Sequence, residues 1–105
     1  MAWVYLVFAG ILEVVWAYSM KQSKGFTVLW PSIVTLTGMV ASFALLSLSM
    51  KTLPLGTAYT IWTGIGAIGA FLLGVTLLGE SLSLMRIIAA ILIVTGLVLM
   101  KLSSS

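Results

Sequence analysis

One residue in this chain stands where chemistry is otherwise absent. Glu13 is the single charge in an apolar run from Ala2 to Met20. That run is about as long as a helix needs to cross a hydrocarbon core of ~30 Å. A carboxylate at that depth costs roughly 2.5–3.5 kcal/mol on insertion scales. The next charged residue, Lys21, closes the segment, so nothing nearby in sequence neutralises the acid. An ionisable side chain inside a membrane helix marks a proton or cation site by default. The plainer alternative is a carboxyl that stays protonated and hydrogen-bonds a neighbouring helix.

Other chemistries are closed off by residue type. The chain has no Cys and no His, and its two acids are both Glu. Thiolate nucleophiles, disulfides, imidazole bases and the usual metal ligand sets are therefore unavailable. Serines are plentiful, but no base stands ready to activate one. No enzyme activity, metal or cofactor is expected. Apolar residues make up 62% of the 105-residue chain and charged residues 7%, with a mean hydropathy of +1.28. A soluble domain of this size has no interior large enough for that much apolar surface. The net charge of +3 comes from cations at segment ends, which suit interfacial anchors rather than a nucleic-acid patch.

The elements that must position Glu13 are membrane spans. Four can be drawn, at 2–20, 30–50, 57–78 and 84–100, as one transmembrane domain over 1–105. Only helices pair every backbone donor within a segment of this length in lipid. The connections are short. Lys24 and Gly25 mark the first, and Pro31 suits the opening turn of the second span. Pro54 and Gly56 mark the second connection. Gly79–Ser83 forms the third, with Glu80 as an interfacial loop acid carrying no functional demand. The tail Leu102–Ser105 is too short for a domain. The first span does not suit a signal peptide: no basic residue precedes it, it is too long, and it carries an acid.

Helical spacing then groups the side chains. Ala9, Gly10, Trp16 and Ala17 share the face of Glu13, giving a hollow on one side of the acid and an aromatic lid on the other. Trp3 and Trp30, at span ends, suit the interface belt. Tyr59 and Trp62 share a face of the third span, and aromatic faces attract cations by ~0.5–2 kcal/mol. Gly64, Gly66 and Gly69 follow them; they permit either a hinge or close helix crossing. On the second span Ser42 is the polar member of a stripe with Met39, Leu46 and Ser49. It is placed either to bond the acid or to bond its own preceding turn. Ala89 and Gly96 put small residues on one stripe of the fourth span. Such a stripe packs within the subunit or against a second copy.

Charge also bears on topology. Lys21, Lys24 and Arg86 fall on one side of the membrane, Lys51 and Lys101 on the other. An excess of one cation barely specifies an orientation. A chain inserted both ways can pair antiparallel with itself.

The chain resembles the small multidrug resistance family over nearly its whole length. The resemblance is carried by Leu53-Pro54-Leu55-Gly56-Thr57-Ala58-Tyr59-Thr60-Ile61-Trp62-Thr63-Gly64-Ile65-Gly66, by Gly10-Ile11-Leu12-Glu13, and by Gly25-Phe26 with Pro31-Ser32. It implies an all-α membrane protein of four helices per subunit. It further implies an antiparallel, dual-topology homodimer in the bacterial inner membrane. The two copies of Glu13 would face one pocket and take either protons or a cation. Trp16-Ala17, Thr63-Gly64-Ile65-Gly66-Ala67 and Lys101 are similar to the guanidinium exporter subtype. Thr60 departs from it, standing where alanine is expected. By that resemblance Glu13, Trp16, Ser42, Tyr59 and Trp62 carry over as pocket residues.

Guanidinium also suits these residues on chemical grounds. It is planar, its N–H donors form a fork that fits a carboxylate, and its face stacks on aromatic rings. The expected function is proton-coupled guanidinium export. One alternative is export of hydrophobic quaternary ammonium ions or polyamines. Another is a non-transporting membrane subunit in which Glu13 is an assembly contact.

The dual-topology expectation has a direct check. Two Lys added to the second loop or tail should fix one orientation and abolish transport when that variant is expressed alone. A partner biased the opposite way should restore it. Normal transport by the singly biased variant contradicts the antiparallel pair.

Overall fold

The computed structural model describes residues 1–103, which form four helices: α1 (Ala2–Gln22), α2 (Leu29–Ser49), α3 (Leu55–Thr76) and α4 (Leu84–Ser103). There is no strand among the described residues. Each helix has 20–22 residues and is apolar enough to cross a membrane. At 1.5 Å per residue, each spans ~30 Å or slightly more. The chain is a multi-pass, all-α membrane protein. Of the tail Leu102–Ser105, the first two residues continue α4, and Ser104 and Ser105 lie outside the described residues.

The helix ends follow local chemistry. α3 begins at Leu55, earlier than the spacing suggests, because Pro54 is extended (φ −60°, ψ 151°) and its carbonyl accepts from the Ala58 N–H at 3.0 Å. Gly56 therefore sits in the first turn and does not break the helix. α3 ends at Thr76, where the N–H groups of Leu77 and Leu78 both reach the Leu73 carbonyl. Gly79 follows at φ +70°, a conformation that costs glycine nothing. Between α1 and α2, Lys24, Gly25 and Phe26 all have positive φ. Ser23 braces that left-handed turn, donating to the Met20 carbonyl at 2.7 Å and accepting from the Phe26 N–H at 3.1 Å.

Glu80 has a structural partner. Its carboxylate lies 3.2 Å from the Arg86 guanidinium, which also donates to the Ser81 carbonyl at 2.6 Å. The same guanidinium is 5.1 Å from the centre of the Phe71 ring. The pair closes the α3–α4 connection. Both side chains are partly exposed, so the ion pair itself contributes only ~0–1 kcal/mol.

α1 is the central helix. It packs along both α2 and α3, whereas the backbone of α4 approaches α3 alone. The buried core consists of Leu6, Ala9, Leu46, Ala58, Ile61 and Trp62. Small residues set the α1–α3 separation. A methyl group on Gly10 would lie 2.6 Å from Ile65, and one on Gly69 would run into Val14. α4 buries no side chain. Ala89 and Gly96 are exposed, and a methyl on Gly96 would meet nothing within 4 Å. At its far end α4 touches α1 through Lys101, whose Nζ lies 4.4 Å from the centre of the Trp3 ring.

Candidate functional site

α1 carries Glu13 toward α3. A methyl group on Gly66 would collide with the Glu13 carboxyl, so the bare backbone of Gly66 is the seat of the acid. Glu13 Oε1 is buried and has no hydrogen-bond partner among the described residues; the same is true of Trp16 Nε1. An open acceptor and an open donor thus lie three residues apart on one face of α1. A buried polar atom left unpaired costs ~1–3 kcal/mol. That cost is removed by anything that brings donors to the carboxyl.

Ser42 is fully buried and joins three helices. Its hydroxyl donates to the Ala9 carbonyl on α1 at 2.6 Å and accepts from Trp62 Nε1 on α3 at 3.0 Å. Sequence spacing offered it either Glu13 or its own preceding turn, and it takes neither. Glu13 leans toward α3, and at the close α1–α2 crossing a short side chain reaches the backbone of α1 instead. Ala9 is four residues before Glu13, so its carbonyl also accepts the Glu13 backbone N–H in the helix. Ser42 fixes the helix turn that carries the acid.

The aromatic residues form a continuous row. The rings of Trp16 and Phe43 meet edge-on at 6.2 Å between centres, Phe43 and Trp62 at 5.8 Å, and Trp62 and Tyr59 at 5.5 Å. These separations lie in the favourable range for tilted and edge-to-face pairs. Trp62 is buried, whereas Tyr59 is about half exposed. Phe43 bridges the two groups that the sequence placed apart. It was missed because an apolar residue in an apolar helix offers no contrast. Its position four from Met39 and three from Leu46 was the available signal. Gly38, buried beneath Trp16, was missed as well.

Gly64, Gly66 and Gly69 of α3 divide between two neighbours. Gly66 and Gly69 receive α1, and Gly64 receives Leu97 of α4. α3 is an unbroken helix through all three. Ala89 and Gly96 are not brought to the site. Gly96 instead lies in an open groove of about 490 Å³ between α3 and α4, which Tyr59 and Thr63 also line.

The family model for the Small Multidrug Resistance protein matches residues 1–93. The chain belongs to this family. Within it, the chain is 58% identical over 104 residues to a guanidinium exporter of Salmonella typhimurium, covering 99% of each. It is 57% identical to a guanidinium exporter of Yersinia pestis, covering 99% of this chain and all of the other. The guanidinium exporter of Escherichia coli strain K12 is 54% identical, with 99% of each covered. The family and the names of these relatives point to a transporter, not an enzyme.

The seat of Glu13 can be tested without any ligand. The chain has only two acids, both Glu, so carboxyl-labelled glutamate should give two carbon signals. Gly66→Ala should shift the Glu13 signal, whereas Gly64→Ala should leave it in place, since that methyl meets Leu97. Equal displacement by both variants would contradict the contact.

Proposed function

We propose that this protein exports guanidinium across the bacterial inner membrane in exchange for protons, working as an antiparallel homodimer. The observation that carries this reading is the buried Glu13 oxygen without a partner, in a chain similar along its full length to guanidinium exporters. Guanidinium supplies what the oxygen lacks. It brings N–H donors in a fork and a positive charge, and charge-assisted bonds of this kind are about twice as strong as neutral ones. The aromatic row from Trp16 through Phe43 and Trp62 to Tyr59 offers ring faces for the planar cation. Ser42 and Trp62 hold the surrounding helices at fixed spacing.

Exchange follows from competition for one pair of groups. In the dimer the two Glu13 carboxyls face a common pocket and hold either protons or a cation. Protonation on one side releases the cation, and deprotonation on the other restores the site. No bond to the substrate forms or breaks. α4 buries no side chain, and Ala89 and Gly96 are exposed beside open grooves against α3, which supports packing against a second copy. The near-balanced charge of the two loop sets suits insertion in both orientations. Gly64, Gly66 and Gly69 are the hinge at which α3 bends or slides between the two access states.

Proteoliposomes given guanidinium, a quaternary ammonium ion and a polyamine in parallel should transport guanidinium best. Glu13→Gln should abolish that transport while the protein still assembles. Guanidinium binding should weaken as pH falls from about 9 to about 5, because protons compete for the same carboxylates. Preferred transport of the quaternary ion or the polyamine would reassign the substrate. Full transport by Glu13→Gln would reduce Glu13 to an assembly contact.

Turnover and affinity should separate at the hinge. Gly64→Ala leaves Glu13 and its seat intact, so its rate should fall roughly tenfold while guanidinium affinity stays within about twofold. A parallel loss of both, measured on one purified variant, would make Gly64 a shaping residue of the pocket.

A further inference from the structure

We propose that Gly38 is a positioning residue: it sets where Trp16 stands, and through Trp16 the preference of the Glu13 site for a small planar cation. This rests on the exporter reading above and adds to it a residue that contacts neither substrate nor proton.

Gly38 belongs to the buried stripe of α2, with Thr35, Ser42, Leu46 and Ser49 at helical spacing. This stripe meets α1. A methyl group on Gly38 would lie 3.0 Å from Trp16 Cβ and 3.7 Å from Trp16 Cα. Those atoms cannot swing aside by a change of rotamer, because they are fixed to the backbone of α1. The contrast is with Gly64, whose methyl would meet the branched end of Leu97. Extra volume at Gly38 is therefore met by a shift of about a few tenths of an ångström in the backbone around Trp16.

The direction of that movement matters for Glu13. Two contacts from α2 bracket the acid on α1. Ser42 holds the Ala9 carbonyl four residues before it, and Gly38 admits Trp16 three residues after it. A push at Trp16 against a fixed Ala9 turns the intervening segment. Glu13 then rotates on its seat at Gly66, and the Trp16 ring shifts against Phe43. A forked N–H donor depends on the angle of the carboxylate it meets. A quaternary ammonium has no N–H and responds mainly to charge and volume. Gly38→Ala should thus discriminate between the two ligands even though Gly38 touches neither.

The experiment is a double-mutant cycle on the full-length protein in bicelles. Wild type, Gly38→Ala, Trp16→Gly and the double variant are compared, with Gly56→Ala as a control whose methyl meets nothing within 4 Å. Affinities for guanidinium and tetrapropylammonium are measured by calorimetry, and the Glu13 carboxyl carbon signal is followed without ligand. Gly38→Ala should weaken guanidinium binding roughly five- to tenfold, as moderate overpacking does. It should leave tetrapropylammonium within about twofold and shift the Glu13 signal. Trp16→Gly removes the Cβ that the new methyl presses on. In that background Gly38→Ala should leave the Glu13 signal unmoved, which is coupling rather than additivity. A signal displaced equally in both backgrounds overturns the proposal, as does equal weakening of both ligands. If Gly38→Ala alone fails to fold, the double variant should recover a folded protein, and failure to recover it also overturns the proposal. A wild-type protein that does not bind guanidinium at all instead removes the exporter reading, and the positioning role with it.

Discussion

Between Glu13 and Gly66 there is no room for a methyl group, and much of the bundle is arranged around that contact. A carboxyl in hydrocarbon is tolerated when it faces the interior of a bundle rather than lipid. Glu13 meets that condition by resting on the bare backbone of the neighbouring helix. For it to do so, α1 and α3 must cross closely along their length. Gly10 against Ile65 and Gly69 against Val14 extend the close approach to either side of the acid. Lipid tails are as apolar as the helices, so apolar burial gives helices little reason to associate in a membrane. Packing over small residues and a few interhelical hydrogen bonds must suffice. Ser42 supplies two of those bonds at one atom, each worth ~0.6–2 kcal/mol by the range found for such contacts.

The polar atoms sort into two groups by whether they are satisfied. Ser42, Trp62 and the Ala9 carbonyl form a closed network. Glu13 Oε1 and Trp16 Nε1 remain open, one turn away. A closed network next to an open pair is what a binding site needs: the first fixes spacing and the second leaves capacity for a ligand. The same five residues placed in a fully satisfied arrangement would make a more stable bundle with no donor or acceptor left open.

Much of this was legible in the sequence, and the exceptions share a cause. The four spans were visible because each is a long apolar run bounded by charges or turn residues. Glu13 was visible because it violates its run. Trp16, Tyr59 and Trp62 followed from helical spacing around polar or aromatic landmarks. What spacing on one helix cannot supply is the partner on another. The bonds of Ser42 depend on how closely α1 and α2 cross, which no periodicity encodes. Phe43 and Gly38 carry no contrast within an apolar helix, so only their register with Met39, Ser42 and Leu46 marked them. Gly64, Gly66 and Gly69 look equivalent in sequence, yet they receive different helices. Glu80 looked idle because its partner, Arg86, belongs to the next helix.

The division among the α3 glycines separates two tasks along a single helix. Gly66 and Gly69 receive α1 and with it the acid, whereas Gly64 receives α4. α4 is held to the rest by slender means. Apart from its approach to α3, where Leu97 and Met100 pack against the core, its side-chain ties include Arg86 to Glu80, Ser81 and Phe71 at one end and Lys101 to Trp3 at the other. Cation–aromatic contacts at exposed positions are worth only ~0.5–1 kcal/mol each. α1, α2 and the part of α3 facing them are joined instead by backbone-close crossings and a buried hydrogen-bond network. A rearrangement at the α3–α4 side therefore meets less resistance than one at the α1–α3 crossing. Displacement of α4 against Gly64 can thus leave the Glu13 carboxyl on its seat at Gly66. Of the three glycines proposed as a hinge, Gly66 and Gly69 are tied to the helix that carries the acid, and Gly64 stands apart from it against α4.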